Sequence, residues 1–190
     1  MNRTLAALTM SLAAFSAAPA LAQTAKGPSA VVSPQPLPID DSRPRVFLGG
    51  SIDMGGAPDW QAAMTSALAD MDVVILNPRR PDWNPNWRPA ADEPEFRRQV
   101  EWELAALESA DVIVMYFAPG TQSPISLLEM GLHARGGKLI VLAPEGFWRK
   151  GNVDITAQAY GVKQVQSLPE LTAAVREALS DAASKGRFAR

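Results

Sequence analysis

Two glutamates stand where the surrounding pattern asks for apolar residues, and both lie on segments with helical periodicity. The stretch SPISLLEMGLHA, 123–134, places Glu129 among Ile125, Leu127, Leu128, Met130 and Leu132. Ser123 is expected to cap its first turn, with Pro124 where a missing N–H does no harm. In FRRQVEWELAALESAD, 96–111, residues set about 100° apart put Val100, Leu104, Ala106, Leu107 and Ala110 on one arc. Glu103 falls inside that arc, while Glu101 and Glu108 point to solvent. A buried carboxylate is costly unless it is paired, hydrogen-bonded or protonated. Two carboxyls in one low-dielectric site push their pKa values apart, which supplies one ionised nucleophile or base and one proton donor. The residues alone leave a plainer reading open, in which Glu103 pairs with Arg97, Arg98 or Arg79 and Glu129 meets a backbone amine or His133.

The elements that would position this pair follow from four continuous apolar runs: RVFLGG, DVVILNP, DVIVMYFAPG and KLIVLAP. Continuous rather than alternating runs are what a parallel sheet covered on both faces requires. Helical segments are predicted over Trp60 to Asp70, Glu95 to Ser109, Pro124 to Ala134 and 167–184, with a short strand around Val165 before the last. This alternation predicts an α/β domain over 44–184, doubly wound (flavodoxin-like), with a five-stranded parallel sheet and helices on both faces. Ligands in such folds bind beyond the carboxyl ends of the strands. The loops GGSIDMGG, NPRRPDWNPNW and APGTQSP are therefore the ones to watch. Gly49, Gly50, Ser51 and Ile52 offer backbone N–H groups and a hydroxyl for a sugar or phosphate. Arg79 and Arg80 suit a phosphate, and Trp83 a base; the alternative is that Trp83 and Trp87 pin a Pro-rich loop to the domain.

The 190-residue chain has a net charge of −2, which gives no electrostatic reason to expect a nucleic-acid polymer or an anionic membrane as partner. Its lack of cysteine excludes disulfides, thiolate metal sites and a thiol nucleophile, and one histidine leaves no multi-histidine metal site. No metal and no cofactor are expected. Residues 1–22 read as a secretory signal peptide, with Arg3, an apolar run from Leu5 to Ala18, and a cut after Ala22. The mature protein is accordingly expected in a periplasm or outside the cell, without a membrane anchor. Residues 23–43 read as a flexible Pro/Ser/Ala-rich lead-in and 185–190 as a tail.

Taken together, FLGGSI, DWQ, NPRRPDW, QVEWEL, ADVIVMYF and SPISLLEMGLHA resemble the nucleoside 2-deoxyribosyltransferase-like family from about Val46 to Ala143. The resemblance implies that Glu129, followed by Met130 and Gly131, is a nucleophile toward C1′ of a 2′-deoxynucleoside or its monophosphate. It implies that Glu103, eight residues before Asp111, protonates the leaving base, and that the deoxyribosyl group then passes to another base or to water. Ser123, six residues before Glu129, stands where the family's transferases carry a substrate-binding aspartate, and Phe47 where they carry a tyrosine. A homo-oligomer is implied as well. Two other readings remain: a glycohydrolase for NAD-type nucleotides, and a non-catalytic periplasmic nucleoside- or nucleotide-binding module.

Overall fold

The computed structural model describes residues 27–52 and 57–185. The signal peptide, and all of the tail but Lys185, lie outside the described residues. Six strands form one parallel sheet: β1 (Ser29–Val32), β2 (Arg45–Gly50), β3 (Val74–Asn77), β4 (Val112–Tyr116), β5 (Leu139–Leu142) and β6 (Lys163–Val165), in the order β1-β3-β2-β4-β5-β6. Among the described residues, α1 (Trp60–Ala67), α2 (Pro94–Ser109), α3 (Pro124–His133) and α4 (Lys150–Tyr160) connect β2 through β6, and α5 (Leu168–Lys185) follows β6.

Alternate strand residues feed two separate cores. Phe47, Val74, Leu76, Ile113, Met115 and Val141 pack against α2, α3 and α4 through Trp102, Ala106, Leu107, Met130, Val153 and Ala157. Val46, Leu48, Ile75, Val112, Val114, Ile140 and Leu142 meet α1 and α5 through Trp60, Met64, Leu171, Val175 and Leu179. Burial on both faces explains why the central strands read as unbroken apolar runs.

Two sequence expectations need correction. The sheet has six strands, because Ser29–Val32, inside the supposed flexible lead-in, pairs in parallel with Val74–Asn77. Its Ala-Val-Val core is short, but β3 offers an open edge, and the backbone bonds extend past the strand through Ser29 N–H to Val73 O and Ser33 N–H to Asn77 O. The helix α4 was not expected, since only Val153 and Ala157 of its 11 residues are buried. The chain passes from β2 outward to β3 and returns to β4 on the other flank of β2. The topological switch point thus lies between the carboxyl ends of β2 and β4. Among the described residues, no helix is long and apolar enough to cross a membrane.

Candidate active site

At the switch point the backbones of β2 and β4 are in close contact. Gly50 pairs with Tyr116 and adopts φ +132°; a Cβ there would come within 2.3 Å of the Tyr116 carbonyl oxygen. Only glycine fits. The next residue, Ser51, is 1% exposed. Its N–H donates to Tyr116 O, its Oγ accepts from the Ala118 N–H at 2.8 Å, and its hydroxyl meets Thr121 Oγ1 at 2.7 Å and Ser123 Oγ at 2.6 Å. The Trp60 indole N–H donates to Ser51 O. Ser51 therefore ties the loop after β2 to the loop after β4, and its hydroxyl is engaged by the protein itself. Ile52 follows at the limit of the described segment, half-buried.

Ser123 precedes α3 as expected, but it does not cap the helix with its side chain. Its φ of 45° and ψ of 50° place it in the left-handed region, and its hydroxyl turns to Ser51 and Thr121 instead. A non-glycine residue held there stores strain of roughly 1–3 kcal/mol, which the three-hydroxyl cluster offsets.

Glu129 lies in the second turn of α3, 7% exposed. It makes no hydrogen bond or ion pair among the described residues. Its carboxyl is pushed up to about 8, first by burial and then by the charge of Glu103. The two acids thus share one field, although they stand on different helices. Glu103 is half-buried, and burial raises its pKa against the opposing effect of a hydrogen bond from Gln99. That bond runs from Gln99 Nε2 to Glu103 Oε1 at 2.8 Å. The inward stripe of α2 differs from the expected arc: Gln99, Trp102, Ala106 and Leu107 are buried, whereas Leu104 is 46% exposed. Trp102 takes the central place because its indole N–H reaches the Gln35 carbonyl in the N-terminal segment. Glu101 and Glu108 are exposed, as expected.

The ion-pair reading of the glutamates is not what the structure contains. Arg97 pairs with Glu101, Arg98 with Glu95, and Arg79 with Asp59. Arg79 also donates to Gln61 Oε1 at 3.3 Å. Arg80 is buried and held by Asp82 at 2.9 Å and Glu95 at 3.4 Å, with its guanidinium over the Trp87 ring. Trp83 packs edge-on against Trp87, centroids 5.1 Å apart. Arg80, Trp83 and Trp87 thus brace their own loop. Sequence reasoning missed Gln99 and Thr121. Gln99 carried a legible signal, since it precedes Glu103 by four residues and so shares its helix face.

A buried, unpaired carboxyl beside a second carboxyl can trap an electrophilic carbon while its neighbour moves a proton. Among the described residues, no group of three or more histidine, cysteine or acidic side chains is arranged to hold a metal ion.

Comparison with known proteins gives the family and the fold. The family described as "nucleoside 2-deoxyribosyltransferase like" matches residues 43–147, more than half of the chain. No curated protein matches the sequence. Among solved structures, the "conserved protein from Enterococcus faecalis V583" is similar at a TM-score of 0.52 and 12% identity, covering 74% of this chain and 99% of that one. At that identity the likeness speaks for the doubly wound fold alone.

Proposed function

The chain belongs to the nucleoside 2-deoxyribosyltransferase-like family, and from that premise we propose that it cleaves the N-glycosidic bond of 2′-deoxynucleosides or their monophosphates. The family is consistent with glycosyl transfer and a small nucleoside partner; the substrate, mechanism and residue roles are our reading. In the form of the pair whose single proton sits on Glu103, the Glu129 carboxylate attacks C1′, and the bond from C1′ to the base nitrogen breaks with its electron pair passing to the base. Glu103 gives that nitrogen its proton, leaving a glutamyl-deoxyribosyl ester on Glu129. Glu103, now ionised, takes a proton from an incoming base or water, which attacks C1′ and returns Glu129 as carboxylate. The departing sugar is oxocarbenium-like, and a carboxylate is suited both to stabilise and to trap it.

One observation carries this reading: Glu129 is buried, without a hydrogen-bond or ion-pair partner among the described residues, and in the field of a second, half-buried acid on α2. We place the sugar or its 5′-phosphate beyond the carboxyl ends of β2 and β4, beside Gly49, Gly50 and the loop carrying Ser123. We further propose that the protein acts after export, on the strength of the leader at 1–22. We also propose that it assembles from copies of itself, supported by the exposed Ile125, Leu128 and Leu132 on α3.

The test is chromatography of the protein from Gln23 onward, incubated with each deoxynucleoside and deoxynucleotide, with and without a second free base. A new nucleoside would mark transfer and free base alone hydrolysis, either being lost in Glu129→Gln. Consumption of NAD instead would move the substrate to the other nucleotide class. Thermal stabilisation without any turnover would overturn the enzymatic reading in favour of a binding module.

A further inference from the structure

Gln99 is 5% exposed and all three of its polar contacts are made by the protein. Its Oε1 accepts from Ser33 Oγ at 2.5 Å. Its Nε2 donates to the Pro78 carbonyl at 2.9 Å and to Glu103 Oε1 at 2.8 Å. A carbonyl oxygen only accepts and an amide nitrogen only donates, so Pro78 fixes which end of the amide is which. Ser33, 3% exposed, must then be the donor on the other side. Ser33 is itself held by its N–H bond to Asn77 O, next to the Trp102 bond to Gln35 O. The amide cannot flip without breaking contacts at both ends.

We infer that Gln99 is a positioning residue for the acid–base carboxyl: clamped between Ser33 and the Pro78 carbonyl, it keeps Glu103 Oε1 as an acceptor and leaves Oε2 as the oxygen that carries the transferable proton. The inference rests on the reading of Glu103 as proton donor. An N–H already aimed at Oε1 disfavours a proton on that atom, so the carboxyl O–H forms on the other oxygen. Protonation of a leaving base needs the O–H at one defined place, because proton transfer works over hydrogen-bond distance only. Ser33 lies before residue 43, outside the segment that matches the family. The added edge strand β1 therefore supports a member of the candidate catalytic pair as well as extending the sheet.

Among the described residues, the arginines of the helix carrying Glu103 and of the loop after β3 are committed to other carboxylates. Glu129 faces Glu103 from α3, while Arg97 and Arg98 on its own helix are bound to Glu101 and Glu95. From the loop after β3, Arg79 is held by Asp59 and Arg80 by Asp82 and Glu95.

The test is a carbon-13 NMR titration of Glu103 in the protein labelled at glutamate carboxyls, the signal assigned by its loss in Glu103→Gln. Removing a donor to the ionised form raises a carboxyl's pKa, so Gln99→Met should move the Glu103 midpoint up by about one pH unit. Trp102→Phe serves as the structural control; it cuts the bond to Gln35 from the same helix and should leave the midpoint in place. Should Gln99→Met fail to fold, Ser33→Ala tests the same clamp from outside the helix, with a smaller upward shift. An unmoved midpoint in Gln99→Met, or in Ser33→Ala where that variant stands in, overturns the inference. So does an equal shift in Trp102→Phe. Where the wild type turns over a deoxynucleoside, Gln99→Met should also lower kcat roughly tenfold with KM little changed. A wild type without turnover would sink the proposed function, and the titration would still decide the role of Gln99.

Discussion

The hydroxyls of Ser51 and Ser123 lie 2.6 Å apart, joining the loop that leaves β2 to the residue that opens α3. Ser123 is six residues before Glu129 on the chain. The bond therefore fixes where α3 starts, and with it where Glu129 points. Ser51→Ala should remove this link and leave the buried Ala118 N–H without its acceptor. An unsatisfied buried donor costs about 1–3 kcal/mol, which for a domain of this size corresponds to a fall in Tm of roughly 3–10 °C. Thermal melting checks it; an unchanged Tm would show that the cluster does not hold the loops.

Stability should depend on pH in the direction opposite to that of an ordinary surface carboxylate. Glu129 rises from 4.5 to about 8 on folding, so between those values the folded state holds a proton that the unfolded chain has lost. Its contribution is present in full below about pH 4.5 and is lost as pH climbs to about 8. Glu103 is shifted in the same direction and adds to the effect. Glu129→Gln removes the charge and keeps the shape. Its stability advantage over the wild type, followed by thermal melting, should widen from pH 5 to pH 8 and stay level above, reaching the order of a few kcal/mol. A gap that is constant with pH would mean that Glu129 is not buried as described.

Activity should require one proton on the pair. With two protons there is no nucleophile, and with none there is no acid. The alkaline limb of kcat/KM should fall near pH 8, where the second proton leaves. A rate still rising at pH 10 would exclude Glu103 and Glu129 as an acid–nucleophile pair.

The outer face of α3 exposes Ile125 at 57%, Leu128 at 59% and Leu132 at 59%, all on the helix that carries Glu129. Between Pro124 and Leu132, the one charged side chain is the buried Glu129. Light scattering during size exclusion should report an oligomer, and Leu128→Arg should shift it to monomer while the α/β fold persists. A monomeric wild type would remove the proposed assembly.

Much of this was legible in the sequence because strong physical constraints leave strong patterns. Both-face burial produced the unbroken runs of β2 to β5, and the two anomalous glutamates of the sequence do lie in one field in the fold. The parts that were missed had weak local signals. β1 is four residues in a stretch rich in proline and serine, and only the open edge of β3 makes it a strand. α4 buries too little to show periodicity. The Leu104 arc was wrong because tertiary contact decides which face turns inward, and Trp102 is anchored to Gln35, 67 positions away. Ser123 was read as a cap because local chemistry favours it there; the structure commits its hydroxyl to Ser51, 72 positions away.

The central claim is that Glu129 bonds covalently to the sugar. Intact-protein mass spectrometry of an acid-quenched reaction with a cleaved deoxynucleoside tests it most directly. The account predicts a species heavier by one deoxyribosyl group, mapped by peptide fragmentation to Glu129 and absent in Glu129→Gln. Release of base at full rate by Glu129→Gln, or an adduct mapped to any other residue, would contradict it.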